Sequence, residues 1–318
     1  MCPPAVRMQL HLPLTIETAT CMQPVFITDL DGTLLGHDDF SFGPIRDDFM
    51  VLLARGIRII FNSSKTSAEI QTLCNDLGVF LPFICENGAA LFNAHLLDTQ
   101  APATAPPAQI HRQAQTQTQV ANKTPVAPAD NVLGTDVSTL MAIWQDAIDT
   151  PLRRHCIMLD EMAPIAQHRV LGLRGNDLER ALARQYSVLF AFYGPQDTFA
   201  ELCAAVQAAG LSIHSGGRVH CLSGQHDKSS FNRIIRQRCS SADGAAVIIG
   251  FGDSDNDIAL LSQADVACVM PRPKGPALQL ADPPPNVITA PQPAPSGWAL
   301  AASEALALLE QQQQQGRR

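Results

Sequence analysis

Apolar runs too short to be helices alternate with helix-period stretches at both ends of this chain. The runs are residues 25–28 (VFIT), 57–61 (IRIIF), 82–85 (PFIC), 245–251 (AAVIIGF) and 266–270 (VACVM). They are rich in Val, Ile and Phe and most do not alternate with polar residues, as expected of strands buried on both faces of a parallel sheet. Between them, residues 43–56 set Ile45, Phe49, Leu52 and Leu53 on one helical face, with Pro44 at the start and Gly56 past the end. Residues 66–78 repeat the pattern with Ile70, Leu73, Cys74 and Leu77, and Thr66 with Glu69 fits a capping box. Strands alternating with helices predict an α/β fold, a doubly wound (Rossmann-like) parallel sheet core formed by residues 24–90 and 222–303.

The middle of the chain has another rhythm. Residues 187–194 read as a strand, 198–210 as a helix and 211–222 as a glycine-turned hairpin. This α+β pattern makes residues 91–221 an inserted cap domain. Within it, residues 99–130 are rich in Pro, Ala, Gln and Thr and are expected to form a disordered loop. Residues 1–23 read as a disordered tail, 282–297 as a proline-rich linker, 298–310 as a closing helix and 304–318 as a polar tail that overlaps the end of that helix.

Composition narrows the function classes. The chain has 318 residues, 46% of them apolar, with a net charge of −8 and a pI near 5.5. No basic footprint for nucleic acid is present. Nine scattered cysteines without a C-x-x-C pair read as reduced thiols of a cytoplasmic protein. No apolar run approaches a membrane span, and the first residues lack a signal-peptide pattern. The partner expected is a small molecule.

In an open α/β sheet, ligands bind beyond the carboxyl ends of the strands. The first run is followed by Asp29, Asp31, Gly32 and Thr33; the second by Asn62, Ser63, Ser64 and Lys65. Glu86, Asn87 and Gly88 follow the third, and Gly252, Asp253, Ser254, Asp255, Asn256 and Asp257 the fourth. Asp29 and Asp31 would repel each other unless a cation sat beside them, and Asp253 adds a third carboxylate. Such an oxygen set suits Mg2+, with Asn256 and Asp257 orienting its waters. Asp29 could then attack phosphorus, while Asp31 protonates the leaving alcohol and later activates water. Ser63 and Lys228 would hold phosphate oxygens, although Ser63 also fits a helix cap and Lys228 a solvated helix start. Neither acidic run is an EF-hand: the twelfth positions are Phe40 and Ala264 rather than Glu. Asp227 before Lys228 excludes a P-loop. His214, His220 and His226 read as surface histidines.

The stretches DLDGTLL, NSSKT, HDKSS and GDSDND stand in the order and setting of the four motifs of the haloacid dehalogenase-like hydrolases, which this chain therefore resembles. The resemblance implies Asp29 as nucleophile, Asp31 as acid/base and Mg2+ as cofactor. The inserted α+β segment is similar to the cap of the sugar-phosphatase branch. Within that branch, FNSSKTSAEI, PFICENGAAL, ARQYS, GGRVHCLSGQHDK and PSGW resemble the mannosyl-3-phosphoglycerate phosphatase family. That likeness implies Lys65, Glu86, Asn87, Arg184, Gly217 and Arg218 as substrate contacts, and a glycosyl phosphate as substrate. The chain departs from the pattern at Val188-Leu189, where Glu-Pro is expected, and at Ser229, where glycine is usual. Other sugar-phosphate phosphatases (the sucrose-phosphate type), a phosphomutase and a non-catalytic sugar-phosphate binder are compatible with the same core.

Overall fold

The structure is a computed structural model, and it describes residues 22–98, 128–215, 219–242, 244–273, 276 and 278–315. From the amino end, β1 (Gln23–Thr28) passes a 3-10 turn at Gly43–Ile45 into α1 (Arg46–Ala54). Then come β2 (Arg58–Asn62), α2 (Ser67–Leu77), β3 (Phe83–Cys85) and β4 (Ala90–Phe92). The following segment holds β5 (Asn131–Val132), α3 (Val137–Ala147), α4 (Thr150–Arg153), β6 (Cys156–Met158) and α5 (Pro164–Leu171). It continues through α6 (Gly175–Leu182), β7 (Ser187–Phe192), α7 (Gln196–Ala208), β8 (Leu211–Ser215) and β9 (His220–Gly224). The chain closes with α8 (Asn232–Cys239), β10 (Ala246–Gly252), α9 (Ile258–Ser262), β11 (Val266–Val269), β12 (Asn286–Thr289) and α10 (Ser296–Gln315).

The larger sheet has the order β12-β11-β10-β1-β2-β3-β4-β5, parallel from β12 to β3 and antiparallel from β3 to β5. Its five expected strands all form. Their side chains serve two apolar layers: Phe26, Phe61 and Phe251 face one, Val25, Ile27, Ile60 and Ile248 the other. That two-sided burial is why these runs lack alternation. Thr66 and Glu69 cap α2 reciprocally, and Gly78 ends it in the left-handed region (φ 70°). A separate antiparallel sheet has the order β6-β7-β9-β8, so the fold class is the expected one.

Element limits differ from the sequence reading in four places. β4 and β5 flank the low-complexity stretch yet pair within the large sheet, because Leu91, buried beside Ile84, needs partners for its backbone as well as its side chain. Residues 222–224 belong to β9 of the small sheet, where Ser187 pairs Ser223 and Val188 pairs Leu222. The stretch read as a linker contains β12, an edge strand with Ile288 buried and Val287 exposed; prolines beside it are compatible only with such an edge. α10 runs through residues read as a polar tail, since glutamine is a good helix former and Ala305, Leu306 and Leu309 bury its inner face. The expected disordered loop falls outside the described residues except for 128–130, as do residues 1–21 of the amino-terminal tail.

Trp298 of α10 lies against Phe26, Phe49 and Phe251 and donates its indole N–H to Thr28 Oγ1 at 3.1 Å. The closing helix thus rests on the strand end that carries Asp29. Among the described residues no helix is long and apolar enough to cross a membrane.

Ending the chain after Ser303 would remove two buried leucines, Leu306 and Leu309. Urea denaturation is expected to show a loss of roughly 3–6 kcal/mol, the burial of two leucine side chains; a solvated tail would leave the midpoint unchanged.

Candidate active site

β1 and β10 are parallel neighbours, and from that junction the sheet is wound outward in both directions. Strand order reverses there, opening a crevice at their carboxyl ends. Asp29 follows β1 directly, its N–H donating to Phe251 O at 3.1 Å. The chain then turns tightly: Leu34 and Leu35 N–H both donate to Leu30 O, and Gly32 N–H to Leu35 O. Gly32 sits at φ 81°, where a Cβ would also lie 3.0 Å from Asp253 Oδ2. Only glycine fits that turn and that approach.

Lys228 is fully buried, and its ammonium donates to Asp29 Oδ1 at 2.5 Å and Asp257 Oδ1 at 2.6 Å. Burial alone would depress its pKa, but Asp257 and Asp29 outweigh that and hold it well above the ordinary lysine value. Asp29 is pushed up to about 8, by burial first, against the pull of Lys228 and with Asp257 and Asp253 adding repulsion. Burial and Asp257 push Asp253 up to about 6. Asp257 Oδ2 accepts the N–H groups of Asp253 (3.0 Å) and Ser254 (2.9 Å), and Thr33 donates to Asp253 Oδ1 at 3.3 Å. Asp29, Asp253 and Asp257 each bring one carboxylate oxygen within 4.8 Å of the others. Three carboxylates around one ammonium make a site short of positive charge.

The remaining expected residues gather around this cluster in different ways. Asp31 pairs through Oδ2 with Lys65 Nζ at 2.7 Å, while its buried Oδ1 has no partner. Burial lowers Lys65, yet Asp31 and Glu69 overcome this and raise it. Ser63 is buried and accepts the Lys65 N–H at 3.3 Å; the cap of α2 is Thr66 instead. Asn256 donates to Asn87 Oδ1 at 3.1 Å and accepts from Ser254 Oγ at 2.6 Å. Arg184 reaches across from the small-sheet segment to donate to Ser64 O at 3.0 Å, and its buried Nε has no partner. The Glu86 carboxylate is held by the chain itself, receiving the N–H groups of Gln185 and Tyr186 and the Ser187 hydroxyl. Gly217 and Arg218 lie outside the described residues.

One expectation changes. His226 is not a surface residue: it is buried and its Nε2–H donates to Glu86 O at 3.1 Å, with burial lowering its pKa. Of the two readings of Lys228, the solvated helix start is excluded, since its side chain is fully buried. The sequence reading missed Arg272, whose Nε donates to Asp253 O at 2.7 Å and stands 3.7 Å from Asp253 Oδ2. Its signal was positional: it lies just beyond β11, a strand end from which no candidate was drawn. Ser187 gave no signal, since a serine opening a strand is ordinary.

Replacing Lys228 by methionine leaves the buried carboxylates unpaired. Denaturation in metal-free buffer is expected to show a loss of about 3–5 kcal/mol, and an unchanged midpoint would contradict the charge balance described above.

Residues 26–136 match the family described as haloacid dehalogenase-like hydrolases. A relative named glucosyl-3-phosphoglycerate/mannosyl-3-phosphoglycerate phosphatase, from Methanococcoides burtonii, is 26% identical over 80% of this chain and 87% of its own length. Another of the same name, from Persephonella marina, is 28% identical over 86% of this chain and 94% of its own. A solved structure from Thermoplasma acidophilum is alike in fold, with a TM-score of 0.55 at 13% identity, covering 91% of this chain and 99% of that one. Asp29, Asp31, Lys228 and Asp253 are brought to one crevice from segments far apart in sequence, and over residues 26–136 the chain is similar to the haloacid dehalogenase-like hydrolases.

Proposed function

We propose that the chain is a Mg2+-dependent phosphatase that hydrolyses a glycosyl-3-phosphoglycerate, mannosyl or glucosyl, to the glycosylglycerate and phosphate. The observation that carries this reading is the buried Asp29/Asp253/Asp257 cluster at the β1–β10 crevice with Asp31 beside it. The names of the two full-length relatives support the substrate class.

The donor set fits Mg2+. Three carboxylates share one close ammonium, Lys228, and Arg272 touches Asp253 from one side. Asp31 keeps a buried oxygen without a hydrogen-bond donor. Asp29 and Asp253 would hold the ion through carboxylate oxygens and Asp31 through its main-chain carbonyl, which leaves the Asp31 carboxyl for proton transfer, with Asn256 and Asp257 behind them. Bound there, Mg2+ supplies charge neutralisation and polarises a phosphoryl oxygen.

The chain's own residues perform the steps. Lys228 fixes Asp29 by its Oδ1, leaving Oδ2 as the nucleophile. That oxygen attacks phosphorus, the bond from phosphorus to the glycerate oxygen breaks, and Asp31 gives its proton to the departing oxygen. Asp31, now a base, takes a proton from water, whose oxygen attacks the aspartyl phosphate. The Asp29–phosphorus bond breaks, phosphate leaves and Asp29 is restored. Ser63, Lys65 and the amides opening α2 steady the phosphoryl oxygens. Arg184 supplies a guanidinium for the glycerate carboxylate on family resemblance. Asn87, Gly217 and Arg218 join the contacts on family resemblance. Glu86 is left out because its carboxylate is already occupied.

Phosphate release with Mg2+ is measured on mannosyl- and glucosyl-3-phosphoglycerate, sucrose 6-phosphate, mannose 6-phosphate and 3-phosphoglycerate. A glycosyl-3-phosphoglycerate is expected to lead in kcat/KM, with Asp29→Asn lower by at least about 1000-fold. Full turnover by Asp29→Asn would sink the nucleophile assignment, and preference for the other sugars would sink the substrate class.

A further inference from the structure

The loop at Glu86–Gly88 holds the two sheets together through a single side chain. Glu86 (φ 49°) and Asn87 (φ 59°) are both non-glycine residues in the left-handed region, a conformation kept only when surroundings enforce it. Those surroundings are explicit. Glu86 N–H donates to Lys65 O and Asn87 N–H to Ser63 O, each at 2.9 Å, while Glu86 O accepts from His226 Nε2. Gly88 (φ 101°) packs so closely that a Cβ would lie 1.8 Å from Asp227 O. The backbone of this loop is therefore locked to the strand ends bearing Ser63 and Lys65 and to the segment leading into Lys228.

Its side chain points the other way, into the start of β7. Glu86 is 2% exposed, and its Oε1 accepts the Gln185 N–H at 3.0 Å. Oε2 accepts the Tyr186 N–H at 3.1 Å and the Ser187 hydroxyl, with the Arg184 guanidinium 3.9 Å away. Four consecutive residues thus converge on one buried carboxylate. Beside them Arg184 reaches Ser64 O, and Thr66 Oγ1 donates to Arg180 O at 2.8 Å. A buried carboxylate stripped of these donors is costly, so the loop and the Arg184–Ser187 turn stabilise each other.

We propose that Glu86 is a positioning residue that docks the small antiparallel sheet onto the catalytic crevice and so places Arg184 against the Ser64 carbonyl at the end of β2. It acts through the chain and does not touch substrate. The activity readouts below rest on the phosphatase reading; the exchange readout does not.

The test uses the full chain with Glu86→Gln, Ser187→Ala and the double variant. Amide hydrogen exchange at Gln185 and Tyr186 is expected to quicken about tenfold or more in Glu86→Gln, with α1 amides unchanged. Ser187→Ala is expected to raise KM for the glycosyl-3-phosphoglycerate about 3–10-fold at similar kcat. Its turnover of p-nitrophenyl phosphate, which lacks the glycerate, should stay at the wild-type rate. The double variant should be no worse than Glu86→Gln alone, because both remove one contact. Unchanged exchange at Gln185 and Tyr186, or additive losses in the double variant, would overturn the proposal. If Glu86→Gln does not fold, faster exchange of the same amides in Ser187→Ala supports docking and wild-type exchange refutes it. A wild-type chain inactive on glycosyl-3-phosphoglycerates would refute the substrate reading and leave the exchange result to decide the role of Glu86.

Discussion

A single buried ammonium is the constraint on which the site depends. Lys228 bridges Asp29 and Asp257, one 199 and the other 29 residues away, inside a site from which bulk water is excluded. A lysine and two aspartates can be buried this deeply only when each charge is answered at hydrogen-bond distance. That requirement fixes β1 beside β10 and the Lys228 turn beneath both. The aromatic layer of Phe26, Phe49, Phe251 and Trp298 secures the same strands from one side. Packing alone would tolerate small slips of strand against strand; the three-way ionic contact does not.

The charge left over is what makes the place chemically useful. One ammonium answers two of three clustered carboxylates, and Arg272 approaches the third at 3.7 Å from its flank. Asp31 is drawn aside to Lys65, so the two aspartates of DLDG sit in different electrostatic surroundings although one residue separates them. Asp29 is neighboured by Lys228 and two other carboxylates, Asp31 by a more exposed lysine.

Backbone strain is present at the same crevice. Gly32 takes a positive φ as glycine can and Asn87 as asparagine tolerates, but Glu86 takes it as a residue that resists it. Glu86 is held by bonds to Lys65 and His226 and Asn87 by one to Ser63, a set that a relaxed loop could not make together. Departures from local preference gather where a fold does its work, because the surrounding network can enforce them there.

Much of this was legible along the chain. Unalternating apolar runs marked the parallel strands, since burial on both faces leaves no polar period. The four strand-end clusters marked Asp29, Asp31, Ser63 and Asp253, because open sheets present ligands at that edge. The limits of β12 and α10 were not legible: proline and glutamine composition speaks of solvent, and only a groove able to take Ile288, Leu306 and Leu309 turns those segments into structure. Glu86 shows the boundary most sharply. Its place after β3 was readable, but whether its carboxylate faced a ligand or the chain depended on where the Arg184–Ser187 turn docked, about a hundred residues later. Sequence determined which groups reach the crevice, through local periodicity and strand ends; tertiary structure alone decided which of them remain free, because hydrogen-bond partners are assigned by contacts that no local pattern encodes.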